Sequence, residues 1–313
     1  MVRYAGPSGI FYSPMPVRIF LFWLCVAPAL RAQYANAELP VYESVPEARQ
    51  APEPVHQLNL RDRQLFHLPA GTDSLRQLTY LSLMRNHLEV WDPGLDALSV
   101  LEVLNLQENN LRTLPPSLGK MGALKRLVLT QNQLKELPAA IGELHQLEAL
   151  HLDLNELDNL TPAIGGCSAL RMLDLHGNQL SELPATLLRL AELRQLNAGY
   201  NQLRQLPEDW RSLRKLSELN LESNRLRRLP DGLLRLPTLR TLILTDNELA
   251  ELPAQLGKLS TLELLVLSGN QLTRLPDLSE LTALRTLILT GNPLAAGEVE
   301  RVRAALPGCA VVY

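Results

Sequence analysis

The strongest constraint on this chain is a period. From Val55 onward the sequence divides into blocks of 23 residues, beginning at Val55, Leu78, Leu101, Leu124, Leu147, Leu170, Leu193, Leu216, Leu239 and Leu262; one 22-residue step then leads to a last partial block at Leu284. Each block follows L-x-x-L-x-L-x-x-N-x-L-x-x-L-P and then a short apolar segment. The asparagine column runs through Asn86, Asn109, Asn132, Asn155, Asn178, Asn201, Asn224, Asn247, Asn270 and Asn292, and only the first block departs from it, with Arg63. A unit this short cannot bury its own leucines, so its copies must stack on one another and build a continuous core.

Within a unit, "LEALHL" alternates Leu150 and Leu152 with outward-facing residues, the period-two pattern of a half-buried strand. The asparagine that follows suits a tight turn at the strand end, because its amide both donates and accepts and satisfies backbone groups that stacking would bury. Proline opens the return segment, where a missing N–H costs little and a fixed φ stiffens the chain. Segments such as "ATLLRLAE" are predicted to form a short helix or 3-10 stretch on the opposite side.

This pattern resembles the leucine-rich repeat family over almost the whole chain beyond its amino-terminal segment. The Leu-Pro form is similar to the class found in bacterial proteins and in intracellular Ras-associated relatives. The resemblance implies an α/β repeat fold, a leucine-rich repeat solenoid or horseshoe with a concave parallel β-sheet and short convex helical or 3-10 segments. It also implies a non-enzymatic interaction module or scaffold that binds a protein partner on the concave surface.

The ends read differently from the repeats. Arg18 precedes an apolar run from Ile19 to about Leu30, followed by small residues. At about a dozen residues this run is short of the roughly 20 needed to span a bilayer as a helix and suits a signal peptide. Residues 1–37 are expected to be that signal, with Met15 a possible true start and cleavage after Ala32 or Ala37. The expected location is therefore secreted, periplasmic or cell-surface, with no membrane span in the mature chain.

Residues 38–54 are read as an amino-terminal capping segment, residues 55–294 as about eleven repeats, and residues 295–313 as a carboxyl-terminal cap. Ser44 stands three residues before Glu47, a capping-box spacing, and Pro46 is tolerated in a first turn, so a short helix is predicted over 45–51. A second helix is predicted to end near Leu306, with "CAVVY" adding a last strand. Cys167, in the convex core, and Cys309, in the cap, fall about six strands apart, roughly 25–30 Å, too far to bridge.

The net charge of -3 gives no global attraction to nucleic acid. The arginines at 225, 227, 228, 235 and 240 read as a solvated face. No P-loop, HExxH or GxSxG motif is present; no cofactor, no metal and no catalytic residue is expected, and the chain is expected to act as a monomer.

The register turns two distant motifs into neighbours. "HLDLN" at His151 and "DLHGN" at Asp174 are offset by one repeat, so His151 and Asp174 share one outward strand position, and Asp153 and His176 share the next. All four are expected on the concave face, on strands about 4.8 Å apart, as a rectangle of opposite charges. A ladder of that kind is a modest stabiliser of sheets. A metal-dependent enzyme centred on these four is a remote alternative, because a flat exposed sheet does little to aim its ligands or shift their pKa values.

The remaining candidate contact residues are Asn197, Tyr200, Asn220 and Glu222 in the polar middle, and Ile243, Leu264, Val266 and Ile288 toward the carboxyl end. The last four are expected to form a solvent-facing apolar patch of the kind that marks contact sites; the β-propensity of Ile and Val is the competing explanation. An intracellular signalling scaffold of the Ras-associated type is the alternative to an exported binding module.

Overall fold

The computed structural model describes residues 35–313; most of the expected signal segment, including Met15, Cys25 and Ala32, lies outside the described residues. Residues 41–313 form one unit. It is built on a single sheet of thirteen parallel strands that follow one another in chain order. The strands are β1 (Val41–Tyr42), β2 (Gln57–Asn59), β3 (Tyr80–Ser82), β4 (Val103–Asn105), β5 (Arg126–Val128), β6 (Ala149–His151) and β7 (Met172–Asp174), then β8 (Gln195–Asn197), β9 (Glu218–Asn220), β10 (Thr241–Ile243), β11 (Leu264–Val266), β12 (Thr286–Ile288) and β13 (Ala310–Val312). From β2 to β11 each pairing joins residues 23 apart, so every repeat position becomes a straight column across the sheet.

Two stacked ladders hold the coils. Leucines such as Leu150, Leu173 and Leu196 fill the core and are essentially without solvent contact. Beside them the asparagine column supplies the hydrogen bonds. Asn155 donates through Nδ2 to the carbonyls of Leu129 (2.9 Å) and Leu152 (3.0 Å), and its Oδ1 accepts from Leu134 N (3.1 Å). One side chain thus closes its own turn and ties it to the preceding coil, and the pattern recurs at Asn178, Asn201 and Asn224. The return segments are short 3-10 turns, among them Pro162–Gly166 and Ala185–Arg189.

A second backbone column precedes the asparagines. The residue just before each one turns into left-handed geometry: Arg85, Glu108, Gln131, Leu154, Tyr200, Ser223 and Asp246 have φ between 50° and 56°, and Gly177 and Gly269 occupy the same position. Its N–H reaches the next coil, as from Leu154 to His176 O (2.8 Å). Because most of these residues are not glycine, sequence punctuation does not reveal the column.

The ends are closed by the predicted elements with small shifts. Helix α1 (Val45–Gln50) starts at Ser44, whose side chain accepts from Glu47 N (3.3 Å). Helix α2 (Glu298–Ala305) buries Val299 and Val302 and leads through Leu306 to β13. Cys167 is buried and donates to Ile141 O (3.2 Å), Cys309 is half-buried in the cap, and both are free thiols. Where Trp91-Asp92 replaces Leu-Pro, Trp91 stays in the core and donates through Nε1 to Asp96. Asp92 accepts from Leu68 N and Gly94 N, so it anchors the turn that proline would have stiffened.

Candidate functional site

The middle of the concave sheet carries the most unusual chemistry. His151 and Asp174 are direct cross-strand partners on β6 and β7, and Asp153 and His176 follow two residues later on the same strand ends. Three of the four converge: the ligand-type atoms of His151, Asp153 and Asp174 all lie within 4.8 Å of one another. His176 turns away and packs its ring on Tyr200 (centroids 4.8 Å apart, planes at 54°).

The two carboxylates are held. Asp174 Oδ1 accepts from His176 N (3.1 Å) and interacts with the Asn197 side chain. The same i to i+2 bond is made by asparagine on other strands, at Asn105 to Gln107 N (2.9 Å), Asn197 to Gly199 N (3.2 Å) and Asn220 to Glu222 N (2.9 Å). Asp174 therefore fills an asparagine's structural role while adding a charge. Asp153 Oδ1 accepts from Thr130 Oγ1 (2.7 Å) on the preceding coil. Asn220 and Glu222 pair with each other, Nδ2 to Oε1 at 3.0 Å.

The expectation of four freely exposed side chains is corrected. All four are only partly exposed, and the crowding of neighbouring columns changes their chemistry. Burial pushes the Asp174 carboxyl up to about 8, with the nearby Asp153 carboxylate adding to the shift. Burial raises Asp153 as well, against the lowering effect of its bond from Thr130. Burial lowers His151 to about 4, with Arg126 contributing, and lowers His176 to about 4. The imidazoles are therefore neutral, and no ion pair joins them to the aspartates among the described residues. A ladder of opposite charges is not what these residues form.

The apolar patch is corrected too. Val266 has no solvent exposure and Ile243 only 6%; Leu264 and Ile288 are half-buried. Strands on both sides and the flanking columns cover the middle position, and β13 adds Val312 beside Ile288. These residues serve the sheet, as β-propensity implies. Asn197 and Asn220 are likewise buried, at 6% and 3%, and act by orienting their neighbours. Thr130 is a site residue that the motifs alone do not mark; its one signal is its position one repeat before Asp153.

The stacked coils, the asparagine ladder and the open parallel sheet define a leucine-rich repeat solenoid. The sequence profile of the leucine rich repeat family matches residues 76–134, 99–157, 145–203, 168–226 and 237–294, and the chain belongs to that family. No curated protein matches it. Solved structures do. A TDR receptor superposes with a TM-score of 0.74 at 28% identity over 90% of this chain and 52% of its own.

A chain from the octameric complex of Latrophilin 3, Unc5D and FLRT2, in which FLRT2 supplies the leucine-rich repeats, gives 0.68 at 25% identity over 82% and 83%. The functional domain of InlJ from Listeria monocytogenes gives 0.63 at 25% identity over 73% and 47%. The chain spans about half the length of the receptor and InlJ chains it matches. Among the described residues no helix is long and apolar enough to cross a membrane.

Proposed function

We propose that this protein is a non-enzymatic binding module that captures a protein partner on its concave face, through the polar centre around His151, Asp153, Asp174, His176, Tyr200 and Glu222. One observation carries the reading. The fold accepts Asn105, Val128 or Asn197 at the column where the centre places His151 and Asp174. Substituting titratable groups there brings displaced protonation and unfavourable desolvation with no return in packing, and such local conflict marks functional positions. The rigid sheet keeps the ordering cost of association low. Similarity to FLRT2, which was solved in complex with other proteins, agrees with a binding role.

The test is capture of partner by the purified chain. Loss of a specific protein with H176A/Y200A and with E222A, and its retention with the convex-side variant R189E, supports the reading; retention with all of them rules out the concave centre.

We further propose that the protein acts outside the cytoplasm, on the strength of the apolar run after Arg18. Amino-terminal sequencing of the native protein tests this: a terminus at Gln33 or Glu38 agrees with export, and a retained Met1 or Met15 contradicts it.

A further inference from the structure

We propose that His151, Asp153 and Asp174 form a mononuclear site for a divalent transition-metal ion of the zinc type, set in the middle of the concave sheet. The inference uses the same cluster as the partner reading but does not depend on it.

Three observations point to the site. The first is convergence: one imidazole nitrogen and two carboxylate oxygens, from two adjacent strands in register, lie within 4.8 Å of one another. Ligands bound at about 2.0–2.1 Å in a tetrahedron stand about 3.3 Å apart. Small side-chain rotations bridge that difference.

The second is orientation. Thr130 Oγ1 holds one oxygen of Asp153, and the His176 amide holds one oxygen of Asp174. Asp153 keeps its other oxygen for a ligand, and the Asp174 carboxylate, also bonded by the Asn197 side chain, keeps lone pairs for one; outer partners of this kind are what aim the donors of metal sites. The third is His151 itself. Among the described residues its ring makes no hydrogen bond, and its nitrogen stands within 4.8 Å of both carboxylates without an ion pair to either.

The donor set selects the ion. Calcium and magnesium take oxygen ligands only, whereas imidazole with carboxylates suits zinc and its divalent neighbours. Three protein ligands leave a coordination position for a water or for an oxygen of a bound molecule.

The test titrates tag-free full-length protein, freed of metal by chelation, with zinc chloride in a calorimeter, and calcium chloride as control. The expected result is one zinc per chain, no uptake of calcium, and zinc binding at least about 10-fold weaker in H151V, in D174N and in the positioning variant T130V. Valine and asparagine are native to the same column, at Val128 and Asn197, so H151V and D174N keep residues the strand already accommodates.

A second measurement needs no variant. Cobalt(II) added to the wild-type chain should give visible d–d bands without a thiolate charge-transfer band in the near ultraviolet. No stoichiometric zinc uptake, equal uptake in wild type, H151V and D174N, or a thiolate–cobalt band from Cys167 or Cys309 would each overturn the site. Partner capture repeated in chelator separates the two readings, because capture that persists there leaves the binding module standing whatever the metal result.

Discussion

His151 and Asp174 lie side by side on β6 and β7 although 23 residues separate them in the chain, and the structure holds the pair as a neutral imidazole next to a carboxyl that retains its proton to about pH 8. Elsewhere in the column Asn, Ser, Val or Ile stands in these places. The pair therefore couples the stability of the sheet to pH in two opposite directions, and each direction can be isolated by one substitution.

For Asp174 the folded value of about 8 lies above the roughly 3.9 of an unfolded aspartate. The folded chain keeps a proton that the unfolded chain releases, so this contribution to stability is complete below about pH 4 and is lost as pH rises through about 8. Unfolded histidines still titrate near pH 6.5, so the carboxyl effect is read as the difference between wild type and D174N, in which the histidine contribution cancels. In chelator, urea unfolding of the wild type is expected to lose about 1–2 kcal/mol relative to D174N between pH 6.5 and 8. D174N keeps the acceptor for His176 N and removes the charge facing Asp153. It should lack the carboxyl-linked fall over that window and be more stable than wild type at its upper end. Parallel slopes for the two proteins would show that Asp174 is ionised in the folded state.

His151 works in the other direction. Burial and Arg126 hold it at about 4, below the unfolded value of about 6.5. The unfolded chain binds the extra proton, so the neutral ring's contribution is present above about pH 6.5 and disappears as pH falls through about 4. H151V places at this position the residue that β5 carries as Val128. Measured by urea unfolding in chelator, the stability of H151V relative to wild type should rise by about 2 kcal/mol between pH 6.5 and 4.5. An unchanged difference across that range would mean that the ring is protonated in place.

Much of this arrangement is legible in the order of the amino acids alone. A strict 23-residue spacing fixes register, and register alone makes His151 and Asp174 neighbours and sends both cysteines to separate places. What spacing does not carry is depth. Val266 and Tyr200 both occupy positions outside the leucine columns, yet one is fully buried and the other partly exposed, because burial depends on how large the residues one coil above and below happen to be. Direction is hidden in the same way. The turn of His176 toward Tyr200 and the bond from Thr130 to Asp153 depend on rotamers that three neighbouring repeats choose together. The end helices are legible because Ser44, Pro46 and Pro307 are local signals that need no neighbour.

The asparagine ladder predicts where the solenoid is most fragile. Asn155→Ala leaves Leu134 N without its acceptor inside the core, and it removes one of the two asparagine donors to each of the Leu129 and Leu152 carbonyls, which keep Asn132 and Asn178 respectively. A buried group left unpaired costs about 1–3 kcal/mol, so a loss of about 1–3 kcal/mol is expected in urea unfolding. Asn110→Ala is the control. Asn110 is only partly buried and accepts a single long bond from Gln133 Nε2 (3.3 Å), and its loss should fall below about 0.5 kcal/mol. Equal effects would mean that the buried column is decorative, which the recurrence of its bonds contradicts.

Leu154 offers the reverse case, a position where the native residue is poorly matched to its backbone. It sits between Asp153 and Asn155 with φ at 55° and is 48% exposed as a residue, so it bears left-handed strain of about 1–2 kcal/mol with little burial in return. One repeat later the same position holds Gly177. Leu154→Gly is expected to stabilise the chain by about 0.5–1 kcal/mol, after allowing for the greater freedom of glycine in the unfolded state. The backbone bond from residue 154 to His176 O does not involve the side chain, so the ends of β6 and β7 should keep their places. Gly177→Leu should do the opposite. A Cβ there would meet Leu154 Cδ2 at 2.8 Å, adding contact to strain, and the melting temperature should fall by several degrees. The double variant L154G/G177L removes that contact and should recover part of the loss, and thermal denaturation of the four proteins measures the coupling.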